Sequence, residues 1–125
     1  MNLGNNLIQL LGDASYRKFY RKKNKKKTIL VFANKEKKKN LLIYDAINKL
    51  LNQNNIKAPR LINAYYKKNF IEIEDLGNKT VYDILQRNKK KSYKYYLQII
   101  KTLSKLQEIK KNNITTFNNS KYRIP

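Results

Sequence analysis

The connections between the apolar segments constrain this chain most, because they are too short for parallel crossovers. A parallel strand pair needs a connection of a dozen or more residues, whereas an antiparallel pair closes with a tight turn. Residues 16–22 carry Tyr16, Phe19 and Tyr20 and read as a strand, and the basic turn 22–27 leads straight into Thr28–Ala33. That second segment, TILVFA, is β-branched, aromatic and uncharged, the pattern of a buried strand. Residues 61–66 and Phe70–Glu74 form another such pair across Lys67-Lys68-Asn69. Residues 7–11 read as a strand or the end of a helix. Between the two pairs, Ile43, Ala46, Ile47, Leu50 and Leu51 fall on one stripe of a helix over 37–54. A short helix is expected over 80–87, capped by Asn78 or Thr80. A long one over 92–111 carries Tyr96, Ile99, Ile100, Leu103 and Leu106 as a core-facing stripe. Residues 112–125 show no periodicity. The order predicts an α+β fold: five antiparallel strands with one packed helix, then a two-helix extension.

Composition narrows the chemistry. Cysteine and histidine are absent, which excludes disulfides, a thiolate nucleophile, a histidine base and any Cys/His zinc site. No apolar run approaches a membrane span, and residues 1–11 lack the charged region and cleavage site of a signal peptide. A cytoplasmic location is expected. The formal charge of +21 points to an anionic partner. Yet Lys, Asn, Ile and Tyr, all encoded by A/T-rich triplets, account for 66 of 125 residues, and only five of 29 cations are Arg. Much of the charge therefore reads as compositional drift onto solvated positions.

Three local patterns offer chemistry. Gly12-Asp13-Ala14-Ser15 is a small, polar turn that leaves backbone N–H groups for a phosphate, with Arg17 and Arg21 four apart on one strand face. As residues alone, the ordinary turn is the favoured reading. Glu72 and Glu74 share a strand face, and with no second acidic cluster to complete a metal or acid/base site they read as a solvated strand edge. Asp83 and Asn88 have the spacing of a kinase catalytic loop but lie in an amphipathic helix without its preceding residues. The basic runs 17–27, 35–39 and 87–94 read as solvated turns and helix edges.

The stretch Gly12-Asp13-Ala14-Ser15-Tyr16-Arg17-Lys18-Phe19-Tyr20-Arg21 resembles one found in the aminoglycoside phosphotransferase/choline kinase family. It is most similar to the bacterial cell-wall-recycling branch, which phosphorylates the anomeric hydroxyl of N-acetylmuramate or N-acetylglucosamine. Ala58-Pro59-Arg60-Leu61-Ile62 and Phe70-Ile71-Glu72-Ile73-Glu74-Asp75-Leu76-Gly77 are similar to two further stretches of that branch. The resemblance implies a kinase-like N-lobe over 1–77 and the start of a C-lobe over 78–125. It implies that Gly12, Asp13, Ala14 and Ser15 lie over ATP phosphates with Arg17 and Arg21 nearby. Glu74, Asp75 and Leu76 would form the hinge that reads adenine. The third strand lacks the lysine of a typical kinase, and no catalytic loop or Mg²⁺-binding Asp is present. The expectation is the nucleotide-binding, N-terminal portion of a sugar kinase, inactive alone, with the acceptor sugar and Mg²⁺ held by a further lobe. The alternative is a basic module that binds nucleic acid, and a membrane-surface role is not expected, since the long helix carries no Trp.

Overall fold

The computed structural model describes residues 6–11, 16–23, 27–37, 39–87, 90, 92–110, 113–115 and 121–123. The strands β1 (Leu7–Leu10), β2 (Arg17–Lys22), β3 (Thr28–Ala33), β4 (Leu61–Tyr65) and β5 (Phe70–Glu74) form one sheet in the order β1-β2-β3-β5-β4. Every neighbouring pair is antiparallel. The α+β class and the five-stranded antiparallel sheet expected from the short connections are what the chain forms. The helices are α1 (Lys39–Gln53), α2 (Val81–Arg87) and α3 (Ser92–Glu108).

The period of two along each strand divides the sheet into two faces. One face carries Phe19, Ile29, Val31, Ala33, Ile71 and Ile73, packed with Leu41 and Tyr44 of α1. Val31, Leu41 and Ile71 have no exposed surface. The opposite face carries Tyr20, Phe32, Phe70 and Tyr65 in mutual ring contact.

Two expectations need correction. The buried side of α1 is Leu41, Asp45, Ala46, Asn48 and Leu50, while Ile47 is exposed. The helix has two partners, which a single apolar stripe does not reveal. Leu41 meets the sheet, and Ala46 and Leu50 meet Ile109 and Ile114. Beyond α3, where the sequence shows no periodicity, β6 (Asn113–Thr115) and β7 (Lys121–Arg123) pair antiparallel, and Ile114 is buried against α1. The stripe of α3 is helical but not core-facing: no residue of the helix is buried, and Tyr96, Ile100 and Leu103 are more than half exposed.

Thr80 caps α2. Its hydroxyl accepts from the Asp83 N–H at 3.1 Å, and the Asp83 carboxylate accepts from the Thr80 N–H at 3.1 Å and its hydroxyl at 2.7 Å. In this reciprocal capping Asp83 closes the first turn of α2. The Thr80 hydroxyl and N–H, with the Arg87 charge, hold the Asp83 carboxyl below the usual carboxylate range. Thr80→Ala is expected to lower stability by about 1 kcal/mol, read as a shift in the urea midpoint at unchanged slope.

Candidate nucleotide face and hinge

Arg17 and Arg21 sit at the two ends of β2's regular pairing with β3, opposite Ala33 and Ile29. They share the α1 face, as the spacing of four predicts. The Arg17 guanidinium lies 4.9 Å from the centre of the Tyr44 ring on α1, a cation–π contact. Phe19, between the two arginines, meets the same ring edge-on at 6.4 Å. Tyr44 thus fastens the start of β2 to α1.

Arg21 reaches across the sheet to the segment after β5. Its Nε donates to Asp75 Oδ2 at 2.6 Å and its Nη2 to Asp75 Oδ1 at 2.9 Å, a bidentate fork. Its Nη1 donates to Asn78 Oδ1 at 2.5 Å. The Asp75 side chain is 2% exposed and that of Arg21 17%. Asp75 Oδ1 also accepts the Gly77 N–H at 2.8 Å, closing a turn on its own backbone. Gly77 has φ +87°, a left-handed conformation that favours glycine. The Arg21 hydrogen bonds, the Gly77 N–H and the Arg21 and Lys27 charges hold the Asp75 carboxyl below the usual carboxylate range despite its burial. Three of the residues proposed for the hinge therefore differ in function. Asp75 works through its side chain, Glu74 donates its N–H to the Arg60 carbonyl at 2.9 Å, and Leu76 is exposed. Gly12, Asp13, Ala14 and Ser15 lie outside the described residues.

Glu72 departs from its expected solvated position. β5 lies between β3 and β4, so it is an interior strand rather than an edge, and Glu72 is buried. Its Oε1 accepts from Lys22 Nζ at 2.6 Å and from the Thr28 hydroxyl at 2.5 Å, and its Oε2 accepts from Asn63 Nδ2 at 3.0 Å. Burial pushes the Glu72 carboxyl up, but the hydrogen bonds of Lys22, Thr28 and Asn63 and the Lys22 charge outweigh it and hold it below its ordinary value. Lys22, expected in a dispensable basic turn, is part of this clamp, in which the Glu72 carboxylate of β5 ties its strand to β2, β3 and β4.

On α1, Asp45 is 2% exposed and pairs with Lys49 at 2.9 Å one turn on. Its charge adds to burial in raising the Tyr66 hydroxyl to about 12. Beside this pair, a cleft of about 380 Å³ is lined by Asn48, Asn52, Pro59, Arg60 and Leu61 among others. A second cleft of about 450 Å³ runs from Asn55–Ala58 to Glu74. Asn52 holds the intervening loop, donating to the Asn48 and Ala58 carbonyls at 2.9 Å and accepting the Ala58 N–H.

Sequence reasoning found Arg21 and Asp75 separately but not their pairing, and it missed Tyr44 and Asn78. The Asp-x-Gly spacing of 75 and 77 signals the turn, whereas nothing local signals that Arg21, 54 positions away, closes on it. No group of three or more acidic side chains able to hold a metal ion occurs among the described residues. No helix among them is long and apolar enough to cross a membrane. Neither the models of known protein families nor the curated proteins include a match to this chain.

Proposed function

We propose that this chain is the nucleotide-binding portion of a phosphotransferase that moves the ATP γ-phosphate to a sugar hydroxyl, of the amino-sugar or N-acetylmuramate class. One observation carries the reading: β2, α1 and the segment 74–78 converge on one face of an antiparallel sheet, joined through Arg21 and Asp75. Two of the three stretches that resemble the kinase-like family are joined directly by this pair, since Arg21 belongs to the first and Asp75 to the third. The loop 12–15 and Arg17 would take the phosphates, and the backbone of Asp75 and Leu76 the adenine edge, with the Glu74 N–H committed to the Arg60 carbonyl and holding the hinge in place. Arg21 serves as a positioning residue that sets the spacing between the phosphate strand and the hinge. The exposed apolar stripe of α3 suits the first helix of a larger helical lobe. That lobe would supply the base, the Mg²⁺ ligands and the acceptor site.

Calorimetric titration of the chain with ATP tests this. Saturable binding is expected, weakened about ten- to a hundredfold by Arg17→Ala or Gly12→Val, the loss of a charge-assisted phosphate contact of about 1.5–3 kcal/mol. Replacing Lys23, Lys25 and Lys26 by Ser should change it little. Absence of saturable binding, or binding lost with the lysines and kept in both other variants, would reject the assignment.

A further inference from the structure

The sheet face opposite α1 carries a row of side chains in register: Lys18 on β2, Phe32 on β3, Phe70 on β5 and Tyr65 on β4. Phe32 and Phe70 stack with centroids 4.8 Å apart, and Phe70 and Tyr65 with centroids 4.7 Å apart. These separations match the strand spacing, so the rings stand side by side like plates across three strands. Tyr20 meets Phe32 edge-on. The plates end at Tyr65, which is 40% exposed on an edge strand, so the ring face away from Phe70 has no neighbouring strand. Among the described residues, both hydrophobic clusters lie on the α1 side of the sheet.

The same end of the sheet is basic. The 3-10 turn Tyr66–Lys68 follows Tyr65 directly and places Lys67 and Lys68 there, both exposed. The Ala33 N–H donates to the Asn69 carbonyl at 3.0 Å, which brings the turn at Lys35–Lys37 to this end as well. Lys18 and Lys35 are exposed. Glu36 is the one acid in those two turns, and Glu72 on this face is neutralised by Lys22. Exposed aromatic faces beside cations attract a partner that is both anionic and aromatic, which is the chemistry of single-stranded nucleic acid.

We propose that this face binds single-stranded nucleic acid, with a base continuing the ring stack on Tyr65 and adjacent phosphates against Lys67 and Lys68. The site is on the opposite side of the sheet from the nucleotide face and does not depend on that reading. The test is fluorescence anisotropy of a labelled dT12 oligonucleotide across a salt series. Tyr65→Ala should weaken binding about tenfold with an unchanged salt slope, since stacking is lost and no charge is. Lys67→Gln with Lys68→Gln should reduce the log–log salt slope by about 1.4, two phosphate contacts at about 0.7 each. Tyr65→Phe should retain the affinity, and Tyr65→Ala should leave ATP titration untouched. Equal affinity of wild type and Tyr65→Ala for dT12 would overturn the proposal. So would equal affinity for duplex DNA, which indicates charge alone, or binding to phosphatidylserine vesicles without binding to dT12.

Discussion

Leu41→Ala is expected to cost about 2–5 kcal/mol, enough to consume much of the stability of a small domain. Leu41 has no exposed surface and is where α1 meets Val31, Ala33, Ile71 and Ile73 of the sheet. Removing its side chain leaves a cavity between a helix and rigidly paired strands, neither of which can close it without disturbing the other. Ile47→Ala, six positions on in the same helix, should cost under about 1 kcal/mol, because Ile47 is 39% exposed. The contrast is the test, read from chemical denaturation midpoints at constant slope. Equal effects of the two substitutions would mean that α1 presents a different side to the sheet.

Arg21→Gln should be the most damaging change on the polar side, at about 2–4 kcal/mol. It strips a buried carboxylate of a bidentate partner, and an uncompensated charge costs more than the pair contributes. Partial exposure of Arg21 places the value below that of a fully enclosed pair. Asp75→Asn in the Arg21→Gln background should recover part of the loss, since the orphaned charge disappears. The pair also sets an acid limb. A carboxyl held below its ordinary value contributes stability above the usual range, near pH 4, and loses it as pH falls through its lowered value. Wild type should therefore lose stability below about pH 4, and Asp75→Asn should flatten that part of the profile. An identical acid limb in the variant would place the titration elsewhere, with Glu72 the next group to examine.

Strand pairing was legible because it depends on local quantities. Turn length dictates antiparallel connection, and alternation of Ile71 and Ile73 with Glu72 and Glu74 dictates which residues share a face. The capping of α2 by Thr80 was legible for the same reason, since its partners lie three residues apart. The side of α1 was not. Asp45 and Asn48 are buried there while Ile47 faces outward, so hydropathy points the helix in the wrong direction. Asp45 is retained inside by Lys49 one turn away, and Ala46 and Leu50 gain their burial from Ile114, more than sixty residues beyond.

By itself the sequence determined the α+β class, the antiparallel sheet and the pairing of Arg17 with Arg21 on one face, because each follows from backbone period and connection length. What those side chains do is settled by the folded arrangement of the sheet and α1. It directs Arg17 onto Tyr44 and Arg21 onto Asp75, and it turns Glu72 from an edge charge into the junction of four strands. It also aligns Phe32, Phe70 and Tyr65, which a linear reading leaves as unrelated aromatics. The reason is physical. Charge pairing and ring stacking act over a few ångströms in space, and the strand order β1-β2-β3-β5-β4 that sets those distances is a property of the folded sheet.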